Sequence, residues 1–212
     1  KFKRRFLSSS SSSPSLSYLR LINNSANRYG GGLWINNSSS ILNFVTVSNN
    51  SSESGGGGMY IMDSEDVIVK NSRITSNQTS SGGAIQCQNS QDIALQNVII
   101  ADNNAPTAGG IQFYQNSTMS IINSTFYGNN SGSSSVIQVS EVTSLSIINS
   151  IFWNLTETEF ATTTGGTIDI SYSDIEGGYT GTGNLDSDPL FVDAANGNYR
   201  LSDYSPAIGA GT

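Results

Sequence analysis

The fold is decided by residues 82–130, which read GGAIQCQNSQDIALQNVIIADNNAPTAGG (82–110) and IQFYQNSTMSIINSTFYGNN (111–130). One pattern runs through this stretch twice. A glycine pair opens each copy (Gly82-Gly83, Gly109-Gly110), and an apolar stretch follows it (Ile85 with Cys87, Ile111 with Phe113). Then come an alternating run (Ile93/Leu95, Met119/Ile121), an asparagine (Asn97, Asn123) and, three residues later, another apolar side chain (Ile100, Phe126). Alternation of this kind suits a strand with one buried face, because successive side chains leave a strand on opposite sides.

The same marks extend in both directions. Glycine pairs recur at Gly31-Gly32, Gly57-Gly58 and Gly165-Gly166, with Ser134-Ser135 standing in for one of them. Asparagines recur at Asn43, Asn71, Asn97, Asn123 and Asn149, spaced by 28, 26, 26 and 26 residues, and again at Asn24, Asn49, Asn77, Asn103 and Asn129. The alternating run reads Val67/Val69 and Leu145/Ile147 in other copies, and Ser39/Ile41 in the first. The position three residues after the asparagine holds Thr46, Ile74 and Phe152 in these copies. Three short strands in about 26 residues, separated by Asn/Ser/Gly turns, make one turn of a parallel β-solenoid. The expectation is an all-β fold of about six such coils, with the asparagines stacked along the rod and the glycines opening tight corners.

Composition narrows the chemistry. Nine basic and sixteen acidic side chains among 212 residues give a net charge of −7, which argues against a nucleic-acid partner. Histidine is absent, which removes imidazole acid–base work, the serine triad and ordinary zinc chemistry. The single Cys87 leaves no intramolecular disulfide. No apolar run is long enough to span a membrane, so membrane insertion is not expected. Residues 1–17, with the basic cluster Lys1, Lys3, Arg4 and Arg5 followed by Ser8 to Ser13, read as a low-complexity leader or linker. The β-helix is expected over 18–170 and a closing motif over 171–212. Some ten Asn-x-Ser/Thr sequons, among them Asn36, Asn50, Asn77, Asn116 and Asn154, are the arithmetic of an Asn- and Ser-rich chain.

The repeats Ile74-Thr-Ser-Asn77, Ile100-Ala-Asp-Asn103 and Phe126-Tyr-Gly-Asn129 resemble those of right-handed parallel β-helix surface proteins, including the polymorphic outer-membrane adhesin type. Asp188-Pro-Leu-Phe-Val-Asp193, Gly197-Asn-Tyr-Arg-Leu201 and Ser205-Pro-Ala-Ile208 come in an order similar to the bacterial choice-of-anchor Q domain, over roughly 149–212. That resemblance implies a right-handed β-helix, secreted or displayed on a bacterial surface, within a longer polypeptide. It assigns no activity, since lyases, glycosidases, adhesins and spacers share the architecture.

Three sets of residues are candidates for function. A polysaccharide lyase needs a base beside carboxylates, and Lys70 and Arg73 follow Asp63 and Asp66 closely, so this second coil is the place for catalysis on an acidic polysaccharide. A glycoside hydrolase would need a carboxylate pair, which the sequence does not locate. Asp186, Asp188 and Asp193 are oxygen ligands of the kind Ca²⁺ takes, although turn capping suits the same pattern. Tyr127 and Trp153 adjoin the inward Phe126 and Phe152, so they face outward, and Trp34 and Tyr60 hold matching positions after their glycine pairs. Exposed aromatic rings of that kind stack on sugars. The phase of Trp34 and Tyr60 is open, because Ile85 takes the same place in the next coil. The favoured reading is a non-enzymatic structural or adhesive module that contacts glycans or assembles through its solenoid ends. The alternative is a Ca²⁺-assisted lyase or hydrolase.

Overall fold

The computed structural model of the chain describes residues 7–132, 135–141, 143–155, 158–163 and 165–212. The basic cluster Lys1 to Arg5 and Ser134 lie outside them. One coil shows how the sequence becomes structure. Ile85–Gln88, Ile93–Gln96 and Ile99–Ala101 are its three strands, and each pairs in parallel with its equivalents one coil earlier and one coil later. Repetition builds three sheets of seven strands. The first runs from Leu7–Ser10 to Thr158–Thr162, the second from Ser15–Ser17 to Thr167–Ser171, and the third from Arg20–Ile22 to Asp174–Ile175. The expected solenoid, with three strands per coil, is therefore present.

The core is the inside of the rod. Ile85, Cys87, Ile93, Leu95, Ile100 and their equivalents are fully buried in one continuous apolar column. Phe126 and Phe152 stack there with ring centroids 4.3 Å apart. Each buried aliphatic or aromatic side chain contributes roughly 1.5–3 kcal/mol relative to exposure, so the column is the main stabilising term.

Polar side chains build the corners. The residue after a strand of the second sheet turns into the left-handed region (φ 50° at Asn71, 54° at Asn97, 50° at Asn123, 53° at Asn149), a conformation asparagine tolerates better than most residues. The next serine then bonds twice. Ser124 Oγ donates to the Ile122 carbonyl (2.9 Å) and accepts from the Val98 N–H (3.1 Å), and Ser150 repeats this with Ile148 and Ser124. Ser64, Ser90 and Ser117 form a similar column at the preceding corner. At the third corner lies an asparagine ladder, which starts at the partly buried Asn24 and continues through the buried Asn50, Asn77, Asn103, Asn129 and Asn154. Each Oδ1 accepts the backbone N–H and Nδ2 of the asparagine one coil earlier; at Asn103 both distances are 2.9 Å. The ladder ends on buried Glu159, whose two oxygens take the Asn154 N–H (3.0 Å) and Nδ2 (2.7 Å).

These ladders overturn several readings of the sequence. Residues 7–17 are not a linker. Leu7–Ser10 pairs with Leu33–Asn36 and Ser15–Ser17 with Ile41–Asn43, and Ser9 Oγ joins the serine column through Ser38 (3.0 Å). Serine folds here because neighbouring hydroxyls and an existing strand edge satisfy it. The buried ladder uses Asn50 rather than the exposed Asn49. In the first copy the register moves by one: Phe44 takes the left-handed corner (φ 55°), so Ser40, Leu42 and Val47 point inward while Ile41 and Thr46 point outward. Among the sequons, Asn50, Asn77 and Asn154 are buried ladder members.

The glycines act by close approach. A Cβ on Gly57 would lie 2.6 Å from the carbonyl oxygen of Gly83 in the next coil. One residue before it, Gly30, Gly56 and Gly82 have φ of 65°, 62° and 65°, and the next coil places Ala108 in the same conformation at φ 54°.

The solenoid ends at Ile175 rather than at residue 170. The chain then adds hydrogen bonds to the last coil's edge, from Tyr172 N–H to Thr182 O, Ile175 N–H to Leu185 O and Leu185 N–H to Ser173 O (2.8–2.9 Å). Tyr179 packs on the core beside Phe160. A short antiparallel pair, Phe191–Asp193 with Asn198–Leu201, follows and turns back along the third sheet.

Candidate functional site

The outer face of the first sheet carries one column in strict register: Ser8, Trp34, Tyr60, Gln86, Gln112 and Gln138. Ile85 aligns with Met59, not with Tyr60, because Ala84 fills the place of the second glycine. Trp34 and Tyr60 are therefore both outward. Trp34 is half-buried, but Tyr60 is only 2 % exposed. Tyr29 stacks on its ring with centroids 4.5 Å apart, and its hydroxyl donates to Gln88. Burial, followed by the neighbouring Tyr114, raises the Tyr60 phenol above its ordinary range. Beyond it the glutamines form an amide ladder, Gln86 Nε2 to Gln112 Oε1 (2.7 Å) and Gln112 Nε2 to Gln138 Oε1 (2.9 Å). Sequence reasoning missed this ladder. Its signal was three glutamines at a spacing of 26.

Tyr127 and Trp153 are register partners on the outer side of the third sheet. The C-terminal segment covers Tyr127: Phe191 and Tyr199 lie against it at centroid distances of 5.7 and 5.3 Å. Trp153 is half-buried. Tyr199 also donates to Asp102 Oδ2 (3.2 Å), and the Arg73 guanidinium sits 5.6 Å from the centre of its ring. Desolvation raises the Asp102 carboxyl, against the lowering influence of Tyr199 and Arg73.

The charges expected on the second coil lie on the third, because residues 7–22 form the first, and they do not converge. Asp63 and Asp66 occupy left-handed corner positions between the first and second sheets (φ 47° and 55°), and Asn89 Nδ2 donates to Asp63 (2.7 Å). Lys70 ends a strand of the second sheet, whereas Arg73 begins a strand of the third. Arg73 donates to the carbonyl of Gly197 (3.1 Å), so it holds the C-terminal segment. Spacing in the sequence concealed the corner between Lys70 and Arg73.

The proposed calcium ligands serve turns. Asp186 Oδ1 accepts the Gly177 N–H (3.0 Å), Asp188 Oδ1 accepts the Leu190 N–H (2.9 Å), and both Asp193 oxygens accept Asn196 Nδ2. Among the described residues, no three His, Cys, Asp or Glu side chains are grouped to hold a metal. The Cys87 thiol lies in the core, and burial pushes it up to about 12, so it is not a nucleophile at neutral pH.

A parallel three-sheet solenoid with asparagine and serine ladders and a folded-back C-terminal segment defines a β-helix protein. Residues 7–152 match the family model for the right-handed beta helix region, and the chain belongs to that family. No curated protein and no solved structure matches it.

Proposed function

We propose that the chain is a non-enzymatic structural and adhesive β-helix module of a secreted or surface-displayed bacterial protein, and that it meets neutral glycans on the outer face of the first sheet. The observation that carries this reading is the in-register column in which Trp34, Gln112 and Gln138 are partly exposed, with Gln86 buried between them in the amide ladder. A partly exposed indole and, three coils farther along the same face, two partly exposed amides offer an extended sugar chain a stacking surface and hydrogen-bonding groups. The net charge of −7 repels acidic polymers, which favours neutral ones. Arg73, which a lyase would use as its base, is engaged with Gly197 and Tyr199.

Affinity electrophoresis through neutral and acidic polysaccharides tests this, with mass spectrometry of each polymer for released oligosaccharides, with and without Ca²⁺. The expected result is retardation by a neutral polymer without products, weakened at least tenfold in the double variant Trp34→Ala, Gln112→Ala. Retardation by no polymer would remove the glycan role. New oligosaccharides would replace the reading with an enzymatic one.

A further inference from the structure

One edge of the rod departs from its own rule. The corner between the second and third sheets, where Asn71, Asn97, Asn123 and Asn149 adopt the left-handed conformation, carries Tyr18 and Phe44 in the first two coils at φ 56° and 55°. Asparagine tolerates that conformation and an aromatic side chain does so poorly, so the turn gives no reason for the two rings. Burial does not compensate: Tyr18 is 79 % and Phe44 47 % exposed, and the rings stack on each other with centroids 5.2 Å apart. The same corner of the last coil holds Tyr172 (φ 49°), and there the chain lays its own Gly183 against the ring. Exposed aromatic rings held at a cost in backbone geometry mark an interaction site. Beside the open pair stand the exposed Arg20 and Lys70, the register partner of Asn43 one coil on. The carboxylates of residues 7–77 (Glu53, Asp63, Glu65 and Asp66) lie at the other two corners, before Met59–Met62 or between it and Ile68–Lys70. This end of the edge is aromatic and basic.

The far end of the same edge is acidic. Asn149 accepts the Thr212 N–H (3.1 Å) and donates to the Thr212 carbonyl (3.3 Å), which lays the C-terminal segment on the column. The turn in that segment leaves Asp203 and Tyr204 exposed, Tyr204 at 89 %, with Ile208 close behind in sequence and also exposed. Residues 169–212 hold seven of the sixteen carboxylates and a single cation, Arg200.

We propose that this edge is a dimer interface, in which a second copy lies antiparallel and its Asp203, Tyr204 and Ile208 cover the Tyr18–Phe44 stack beside Arg20 and Lys70. Two complementary patches at opposite ends of one edge are self-complementary about a twofold axis perpendicular to the rod, so both contacts form together. At about 4.8 Å per coil they lie roughly 25–30 Å apart, which fixes the angle between the two rods. Opposite local charges steer this docking although each whole chain carries −7. The edge lies opposite the first sheet, so the dimer leaves both Trp34 faces free, and the inference stands without the glycan reading.

Sedimentation equilibrium of the full chain over a concentration series is the test. The mass should rise from 22.4 kDa to twice that value and stop there. Tyr18→Asn with Phe44→Asn installs the residue used by later coils, so its Tm should equal or exceed that of the wild type while the dimer Kd rises at least tenfold. Tyr204→Ser, on an exposed turn, should weaken the dimer similarly. A mixed pair of these two variants keeps one intact contact, so mixing them should give more dimer than either alone. Raising NaCl from about 0.05 to about 1 M should weaken the wild-type dimer. A wild type that stays at 22.4 kDa throughout would overturn the proposal, and so would a mass that climbs past the dimer, the mark of an open head-to-tail chain. Unchanged Kd in the variants, no gain on mixing, or association indifferent to salt would each overturn it as well.

Discussion

Replacing Asn103 by alanine removes the middle of the buried asparagine ladder, and the cost follows from the bonds lost. The Asn103 Oδ1 accepts both the Asn77 N–H and Asn77 Nδ2 at 2.9 Å, while its own Nδ2 donates to Asn129 Oδ1 and the Ile74 carbonyl, also at 2.9 Å. Asn129 Oδ1 keeps the Asn103 backbone N–H (3.2 Å) and Asn77 Nδ2 keeps the Val47 carbonyl (3.0 Å). The Asn77 N–H and one Nδ2 hydrogen are then buried without acceptors. At about 1–3 kcal/mol for each orphaned buried group, the substitution should cost about 4 kcal/mol. That is a large share of the roughly 5–15 kcal/mol that holds a typical domain together. With an m-value of about 2–3 kcal/mol/M, the urea midpoint should fall by more than about 1 M. The exposed neighbour Asn104→Ala is the control and should change stability by less than about 0.5 kcal/mol. A loss at Asn103 no larger than at Asn104 would refute the reasoning, because the ladder would then be ornament on a rod held by its apolar column alone.

Two further predictions concern backbone geometry and pH. Gly57→Ala should cost about 1–3 kcal/mol by forcing two coils apart, whereas Ala108→Gly, which relieves a left-handed alanine at φ 54°, should stabilise by about 1 kcal/mol; thermal unfolding of both variants checks the opposite signs. Burial raises the Asp174 carboxyl above its unfolded value, so its protonation favours the folded state. That contribution is fully present below the ordinary carboxylate range and is lost as pH rises through the folded value. The difference in Tm between wild type and Asp174→Asn should therefore widen, to the detriment of the wild type, as pH rises upward from the ordinary carboxylate range. A difference that stays constant over that rise would contradict the reasoning.

The period was legible because corners repeat in kind. Asn97, Asn123 and Asn149 each meet the same left-handed requirement, and the alternation around them follows from the strand pleat. Where a different residue meets the requirement, the sequence misleads. Phe44 stands at that corner one place after Asn43, and the reading of its coil slipped by one accordingly. Ser8 to Ser13 looked unfoldable because serine has no apolar surface to bury, yet stacking on the coil above supplies partners that composition cannot reveal. Long-range cover was equally hidden. Nothing near Tyr127 or Arg73 in the sequence announces Tyr199, and nothing near Asp174 announces a roof from Leu201 and Ala207. Outward on a coil is not the same as exposed in the molecule, and sequence spacing alone does not separate the two.

The asparagine ladder also gives the rod a direction of growth. Every rung from Asn24 to Asn154 donates toward the C-terminus, and those from Asn50 onward accept from the N-terminal side, so any interior rung is interchangeable with its neighbours. Duplication or loss of a whole 26-residue unit between Asn50 and Asn129 would reconnect the chain of amides without an unmatched group. Glu159 has no amide hydrogen to pass on; its carboxylate only accepts, and a further asparagine rung cannot be continued from it in the same sense. Repeat number is thus free to vary upstream, while the seventh coil carries a chemical full stop that recombination has to leave in place.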